Sequence, residues 1–500
     1  MTTPRDAAAV ILLRQNTNSN DPEVFWVKRS DKLAFLGGFH AFPGGQLDAD
    51  DAEVEVKNSP NVETSAMISG AARELFEELG VLAVRGGDAL TTGQRNSLLD
   101  DLVSGRMSWS ALLQHYELYL DAKDFTFVGR WVTPPFNARR FDTWFFLVNC
   151  PAKQEPQVIP GELSEGEWIC ASEAYQRWQN AKVVAVPPTL HALKTLSNGM
   201  TPDLVERFLA RPHARGETAL RIEFRPQFIC FPVKTPTRPP ATHTNCYLVY
   251  TSEELLVFDP GSPYEDEQQI LADCIDEMIA EGRRVREIII THLHPDHVGG
   301  VNVLRQHLGN AVPVAAHERT AAGLPDIKVD RFINDNDVIS LSGEPALSLR
   351  VLHTPGHALG HLCFYDERTG ALLTGDNIVG VGSVLIDPPE GNMIDYLASL
   401  ERMRSLPNLS VLFGGHGPAI ATPYKKIDEY ISHRLEREQN ILAAVRNGAS
   451  TPAAIVAAVY TDVSPKAHAM AERAVLAHLE KLEVDGLVTK AVAIGSWTPS

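Results

Sequence analysis

Residues His292-Leu293-His294-Pro295-Asp296-His297 place three imidazoles and a carboxylate within six positions, directly after the apolar run Ile288-Ile289-Ile290. Imidazole nitrogen and carboxylate oxygen are ligand types that zinc and other borderline divalent ions prefer, so the chemistry to expect is metal-assisted. The apolar run reads as the end of a buried strand, and a turn after it can aim side chains at one point while the backbone stays anchored. Three further segments add similar residues: His353-Thr354-Pro355-Gly356-His357, Thr374-Gly375-Asp376 and Gly414-Gly415-His416-Gly417. A single histidine beside an apolar run is ordinarily a core or surface residue; four such segments in order are not explained that way.

A second set of candidates lies near the start of the chain. Ala71 to Val81 reads as a helix closed by Gly80, which puts Glu74, Glu77 and Glu78 on one face at i, i+3 and i+4. Such a run is ordinarily a solvated acidic face, and it is also what a hard, oxygen-seeking cation requires. Phe42-Pro43-Gly44-Gly45-Gln46 supplies a glycine loop upstream, followed by an acidic, irregular insertion.

The elements that must position these residues are short apolar runs. Leu349 to Leu352, Ala371 to Leu373 and Val411 to Phe413 read as strands, each ended by Gly or Pro where a ligand-bearing loop should begin. Ala8 to Leu13 and Val24 to Arg29 read as strands of an earlier sheet. With 500 residues, 44% of them hydrophobic, the chain has material for about two to three domains. The composition shift around residues 196 to 225, with Asn198-Gly199 and Thr201-Pro202, predicts a linker between a domain at 1–195 and one at 226–425, with a helical tail at 426–500. Thr235-Pro236-Thr237-Arg238-Pro239-Pro240 reads as a loop leading into the second sheet.

A formal net charge of -18 opposes broad attraction to phosphate backbones. The six cysteines are scattered without close pairing, and Met1 to Asp6 shows no export signal, so a reduced, cytoplasmic protein is expected. No apolar stretch approaches the roughly 18 residues needed to cross a bilayer.

With Thr242-His243-Thr244-Asn245 and Asp259-Pro260-Gly261 ahead of them, the four histidine and aspartate segments give residues 226 to 425 an order and spacing that resembles the metallo-β-lactamase superfamily. The resemblance implies an αβ/βα sandwich with two metals at one edge: His292, His294 and His357 hold one, Asp296, His297 and His416 hold the other, and Asp376 bridges them. Two Zn²⁺ ions suit these ligands, as do Mn²⁺ or Fe²⁺. Dications roughly 3.5 to 4 Å apart can share a hydroxide and stabilise attacking and leaving oxygens. The reaction implied is therefore attack by metal-bound hydroxide on an ester, thioester or phosphodiester, with Asp296 also orienting the nucleophile. His353 and His361 flank His357, but the family's ligand is the second histidine of the HTPGH segment, which leaves them to hydrogen-bond behind the ligands or to pack. His243 and His433 are either at a pocket edge or ordinary polar residues. The absence of an export signal counts against a role as a secreted β-lactamase.

Arg73-Glu74-Leu75-Phe76-Glu77-Glu78-Leu79-Gly80-Val81 resembles the core of the Nudix box, with Gly44-Gly45 as its upstream loop. This likeness implies an α/β/α fold in which Glu74, Glu77 and Glu78 bind Mg²⁺ or Mn²⁺, Glu74 or Glu77 stands near the attacking water, and Arg73 braces helix and loop. The insertion between Gly45 and Arg73 departs from the strict pattern and leaves the upstream glutamate without a counterpart; Asp48 and Asp51 are the replacements on offer. Together with Trp131-Val132-Thr133-Pro134-Pro135 and Arg139 to Phe146, the insertion is similar to the Nudix branch that includes the coenzyme A diphosphatases. Arg139 and Arg140 either contact a substrate phosphate or pair with the acidic segment around Glu162, Glu165 and Glu167, where an additional metal carboxylate can also arise.

After Pro423 the chain is predicted helical. Ile427 to Arg446 forms one helix, Thr451-Pro452 caps a second, and Ser464-Pro465 starts a third that runs toward Leu482, before the turn at Asp485-Gly486 and a strand at Leu487-Val488. That order is winged-helix-like, but no basic face stands out, so packing or a lid over the site is expected rather than nucleic-acid binding. Glu429 to Arg434 with Glu436-Arg437-Glu438 resembles the branch of the mitochondrial β-lactamase-like endoribonuclease, which shares features with glyoxalase II. The whole is read as a multidomain α/β and α+β hydrolase of a small molecule (an acyl thioester, a CoA-like molecule or a nucleoside diphosphate derivative). Cleavage of single-stranded RNA is one alternative, and a first domain that only senses nucleotides or acts as a scaffold is another. Oligomeric state is left open.

Overall fold

The structure is a computed structural model that describes residues 3–15, 21–137, 139–211, 213–216, 218–461, 464–491 and 495–500. The chain divides into two compact units, Met1–Ile229 and Cys230–Ser500.

In the first unit the strand Arg5–Arg14 runs parallel to Phe141–Asn149 and antiparallel to Glu23–Arg29. Thr126–Val132 and Leu163–Cys170 extend the sheet. Side chains alternate along a strand, so Val10 and Leu12 enter one core while Ile11 and Leu13 enter another. The first core is closed by the helix Val62–Leu79 and the second by Ala171–Gln179 and Pro187–Ser197, which makes an α/β/α layering.

The acidic helix begins at Val62, well before Ala71 where its sequence pattern becomes evident. Asn61 caps it by accepting from the Thr64 N–H at 2.8 Å, and Gly80, at φ 66°, ends it with an N–H to the Phe76 carbonyl. The insertion is therefore less irregular than expected: it holds a 3-10 turn at Ala49–Glu53 and the first turns of this helix. Polar Glu63, Thr64 and Ser65 interrupt the apolar period there, which hides the start from a reading of periodicity.

In the second unit one sheet includes, in order, Phe228–Lys234, His243–Tyr250, Glu254–Phe258, Arg284–Ile289, Val314–Ala316, Arg331–Phe332. A second runs Val338–Leu341, Leu347–His353, Leu362–Asp366, Ala371–Gly375, Val411–Gly414. Their inner faces meet through Phe258 and Phe364, with ring centroids 4.9 Å apart, and Tyr247 and Phe413, 5.6 Å apart. Alternation again sorts the residues: Cys363 and Tyr365, on either side of Phe364, point outward into a core with Tyr396 and Leu400 of the helix Met393–Arg404 and Ile427 and Ile431 of Pro423–Arg446. On the far side of the first sheet, Cys274 of the helix Glu265–Ala280 lies beside Cys246. The layering is helix, sheet, sheet, helix.

The helix His468–Val484 serves two cores, with Ala477 in the one just described and Val475, Leu479 and Leu482 in a terminal one with Ile441, Ile455 and Trp497. The strands Val488–Ala491 and Ser496–Pro499 form its antiparallel wing. Among the described residues no helix is long and apolar enough to cross a membrane.

Candidate metal centre

The seven residues expected to bind metal in the second unit, His292, His294, Asp296, His297, His357, Asp376 and His416, converge on one point at the ends of the two sheets. His292 follows the strand Arg284–Ile289, and His294 caps the short helix Pro295–Val298, whose opening proline fixes the turn. His294 Nδ1 is 3.0 Å from His292 Nε2 and 2.9 Å from His357 Nε2. On the other side, His416 Nε2 is 3.2 Å from Asp376 Oδ2 and 3.5 Å from Asp296 Oδ2, and His297 Nε2 is 3.4 Å from Asp376 Oδ1. Asp376 Oδ2 also lies 3.7 Å from His357 Nε2, so this carboxylate stands between the two groups. His292, His294 and His357 form one triad with donor atoms within 4.8 Å of one another, and Asp296, His297 and His416 form another. Such crowding requires glycine next door: a Cβ on Gly415 would lie 2.3 Å from Asp376 Oδ1 and 2.8 Å from His297 Cε1.

The hydrogen bonds behind the rings decide what the inner atoms are. His357 Nδ1 donates to the Leu385 carbonyl at 2.9 Å and His416 Nδ1 to the His243 carbonyl at 2.8 Å. His297 Nδ1 donates to Asp259 Oδ2 at 2.9 Å. The Thr291 hydroxyl donates to Asp259, which leaves its oxygen to accept from His292 Nδ1 at 2.9 Å. Each neutral ring carries one N–H, so all four inner Nε2 atoms present lone pairs. Lone pairs and carboxylates facing each other in a buried space repel unless a cation sits among them, and His297 Nε2 and Asp376 Oδ1 are buried without any hydrogen-bond partner. Two triads of borderline donors sharing Asp376 fit divalent ions.

The electrostatics differ between the two groups: the first is held neutral, whereas in the second the carboxylates outweigh burial and favour positive charge at His297 and His416, where a cation would otherwise supply it. Burial, reinforced by the neighbouring imidazoles, holds His292 well below its ordinary pKa and His357 at about 3, the neutral form a metal needs. Burial would also lower His297, but Asp376, Asp259 and Asp296 outweigh it and raise it well above its usual value. Against the opposing effect of burial, His416 and His297 hold Asp376 well below the carboxylate range.

Asp259 enters the sequence reading only as part of the Asp259-Pro260-Gly261 segment, with no role assigned, and Thr291 does not enter it. Thr237 was also missed: its Oγ1 lies 3.4 Å from His416 Nε2, within a passage read only as a loop. His361 stands behind the centre, its Nε2 accepting the Asp376 N–H at 3.1 Å. His353 bonds the Leu359 carbonyl and stacks on His317 at 4.3 Å. His243 contributes its carbonyl to His416, and His433 is exposed on the helix Pro423–Arg446. From that helix Arg434 donates to the Val384 carbonyl, next to the Leu385 carbonyl that orients His357.

In the first unit Arg73 organises the acidic face. Its guanidinium donates to Asp51 at 2.9 to 3.2 Å, to Glu74 at 3.0 Å, to Glu77 at 2.8 Å and to the Gln46 carbonyl at 3.0 Å. Glu78 accepts from the Gly44 N–H at 2.8 Å, and Glu74 lies so close to Gly45 that a Cβ there would be 2.5 Å from its Oε1. Of the two aspartates expected to replace the missing glutamate, Asp51 is fully buried against Arg73, whereas Asp48 is largely exposed at 3.8 Å. Burial raises Glu74 to about 7 against the pull of Arg73, and burial together with Glu74 raises Glu78 to about 8. Carboxylates this reluctant to ionise are stabilised by a divalent ion, and Glu74, Glu77 and Glu78 could hold one. Glu162, Glu165 and Glu167 pair with Arg29, Lys28 and Arg177, and Arg140 donates to the Thr133 carbonyl. Among the described residues, Arg139 takes no part in an ion pair with that acidic segment.

Comparison with known proteins bears on these sites. The family model for the metallo-beta-lactamase superfamily matches residues 239–416, and that for the beta-lactamase associated winged helix domain matches 451–497. A beta-lactamase-like protein 2 homolog of Drosophila melanogaster is 32% identical over 253 residues, covering 49% of this chain and 83% of the relative. An atrochrysone carboxyl ACP thioesterase of Aspergillus chevalieri is 31% identical over 237 residues, covering 45% of this chain and 71% of the relative. A crystal structure of a Nudix hydrolase from Alicyclobacillus acidocaldarius shares 33% identity, covering 42% of this chain and 99% of that chain, with a TM-score of 0.37. Through its second unit, the chain belongs to the metallo-beta-lactamase superfamily of metal-dependent hydrolases.

Proposed function

We propose that the second unit holds two divalent ions, one on His292, His294 and His357 and one on Asp296, His297 and His416, bridged by Asp376, and that it hydrolyses a thioester. The observation that carries this is the set of inner imidazole lone pairs turned on two carboxylates, with Asp376 between the triads. Two such ions, Zn²⁺ or else Mn²⁺ or Fe²⁺, would supply an activated water and charge stabilisation for the departing group. Asp296 Oδ2, 3.5 Å from His416 Nε2, orients the attacking water and accepts its proton. Among the ester, thioester and phosphodiester substrates compatible with this chemistry, the thioesterase relative favours the thioester. The six cysteine thiols support a reduced, cytoplasmic setting.

The first unit is read as a Nudix diphosphate hydrolase using Mg²⁺ or Mn²⁺ on Glu74, Glu77 and Glu78, with Glu74 or Glu77 beside the attacking water. Its support is the convergence of the three glutamates on Gly44 and Gly45 around Arg73, with Asp51 as the partner the insertion supplies. Domains at 1–195, 226–425 and 426–500, joined through 196–225, follow from this reading.

The test is metal analysis of the purified full chain with a turnover screen of acyl thioesters, CoA and nucleoside diphosphate derivatives, and short single-stranded RNA. Asp376→Ala should abolish thioester hydrolysis and leave diphosphate hydrolysis, and Glu77→Gln should do the reverse. RNA cleavage lost in Asp376→Ala, without thioester turnover in the parent, would replace the thioester reading by the nuclease one. Nucleotide binding without turnover, unaffected by Glu77→Gln, would make the first unit a sensor.

A further inference from the structure

Arg238 lies in the proline-rich passage beside the metal centre, next to Thr237, whose Oγ1 approaches His416 and which also hydrogen-bonds the Asp296 carboxylate. The positive charge of Arg238 is among those that act on His294, in the other triad. The passage packs against Gly382, where an added Cβ would lie 3.1 Å from Pro240 Cδ. Arg238 itself is exposed, and among the described residues it makes no hydrogen bond or ion pair.

That isolation is unusual in a chain with 63 acidic residues against 45 basic ones, where a surface arginine readily finds a carboxylate. The carboxylates of the centre, Asp296 and Asp376, are engaged with imidazoles. A guanidinium offers a planar fork of donors matched to paired oxygens, and an unpaired one beside the metal centre of an acidic chain is suited to draw an anion inward.

We infer that Arg238 is a specificity-determining residue that binds an anionic group, carboxylate or phosphate, of the thioester substrate. This rests on the hydrolase reading above. In that role the substrate's anion docks on Arg238 while its scissile carbonyl faces the two triads, so the contact is made on binding and acts mainly on KM.

The experiment compares the metal-loaded full chain with Arg238→Ala and Arg238→Lys on three thioesters. S-acetyl-N-acetylcysteamine carries no anion, S-succinyl-N-acetylcysteamine carries a carboxylate on the acyl side, and acetyl-CoA carries phosphates on the leaving side. Arg238→Ala should raise KM about five- to tenfold on at least one charged substrate, leave kcat within about twofold and spare the neutral one, the size expected of a partly exposed charged hydrogen bond. Arg238→Lys should recover part of the loss. Which charged substrate responds identifies the carboxylate or the phosphate as the source. An equal effect on all three thioesters, or none on any, overturns the inference. If the parent turns over no thioester, the thioester reading fails, and calorimetric binding of glutarate and inorganic phosphate decides the inference separately. Weaker binding to Arg238→Ala than to the parent sustains it, and equal binding overturns it.

Discussion

Replacing Asp259 by asparagine should disable one half of the metal centre without touching a residue that faces it. Asp259 accepts three hydrogen bonds: from the Thr291 N–H at 2.8 Å, the Thr291 hydroxyl at 2.7 Å and His297 Nδ1 at 2.9 Å. Asparagine can keep the first through its carbonyl oxygen, but its amide then points two donors at Thr291 Oγ1 and His297 Nδ1. His297 can only meet a donor with a lone pair on Nδ1, which moves its proton to Nε2, the atom that faces Asp376. The inward lone pair is lost, and so is a charge-assisted hydrogen bond. Loss of such an outer partner typically costs about 10- to 100-fold in metal affinity, or roughly 1.4 to 2.8 kcal/mol. The asymmetry is the informative part, because His292 keeps an acceptor in Thr291 Oγ1 and His357 is anchored to Leu385. Chelator competition with metal counting should show one ion released about 10- to 100-fold more easily and the other near parental affinity. Two ions bound as in the parent, or both weakened equally, would refute the tautomer argument.

Three other outcomes follow. Gly415→Ala should lower metal content and activity together, since its Cβ would overlap Asp376 Oδ1 at 2.3 Å; unchanged metal content would show that the loop can move aside. Asp51→Ala should destabilise the first unit by about 3 kcal/mol by leaving the buried Arg73 short of its main partner, against less than about 0.5 kcal/mol for the exposed Asp48→Ala; equal urea midpoints would contradict the assignment. His40 should make the first unit acid-sensitive: burial, helped by Lys28, lowers it from 6.5 to about 4, so below pH 6.5 the unfolded chain binds the extra proton. Stability is therefore full above pH 6.5 and falls toward pH 4 by up to about 3 kcal/mol, and His40→Gln should flatten that slope in denaturant titrations at stepped pH.

Strand ends and helix faces were legible because period and punctuation are local. The runs before His292, His353, Asp376 and His416 are strands with the expected Gly or Pro stops, and the tail has the anticipated three helices and wing. The helix carrying Glu74, Glu77 and Glu78 was recognised only over its second half, since Glu63, Thr64 and Ser65 make its first turn polar. The Thr235 to Pro240 passage was read as a connector, which it is along the chain, but Thr237 stands at the metal centre because two sheets bring their ends together there.

By itself the sequence determined which side chains could bind metal and on which elements they ride, because residue type and spacing are properties of the chain alone. It could not choose between Asp48 and Asp51, nor find Asp259 behind His297, because those choices depend on which polar atoms lose water together. The tertiary structure decided them: packing buries Asp51 against Arg73 and Asp259 against His297 and Thr291, and a buried donor must find its acceptor. The direction of each imidazole's lone pair, and with it the shape of the centre, is set by those outer partners, most of them distant in sequence.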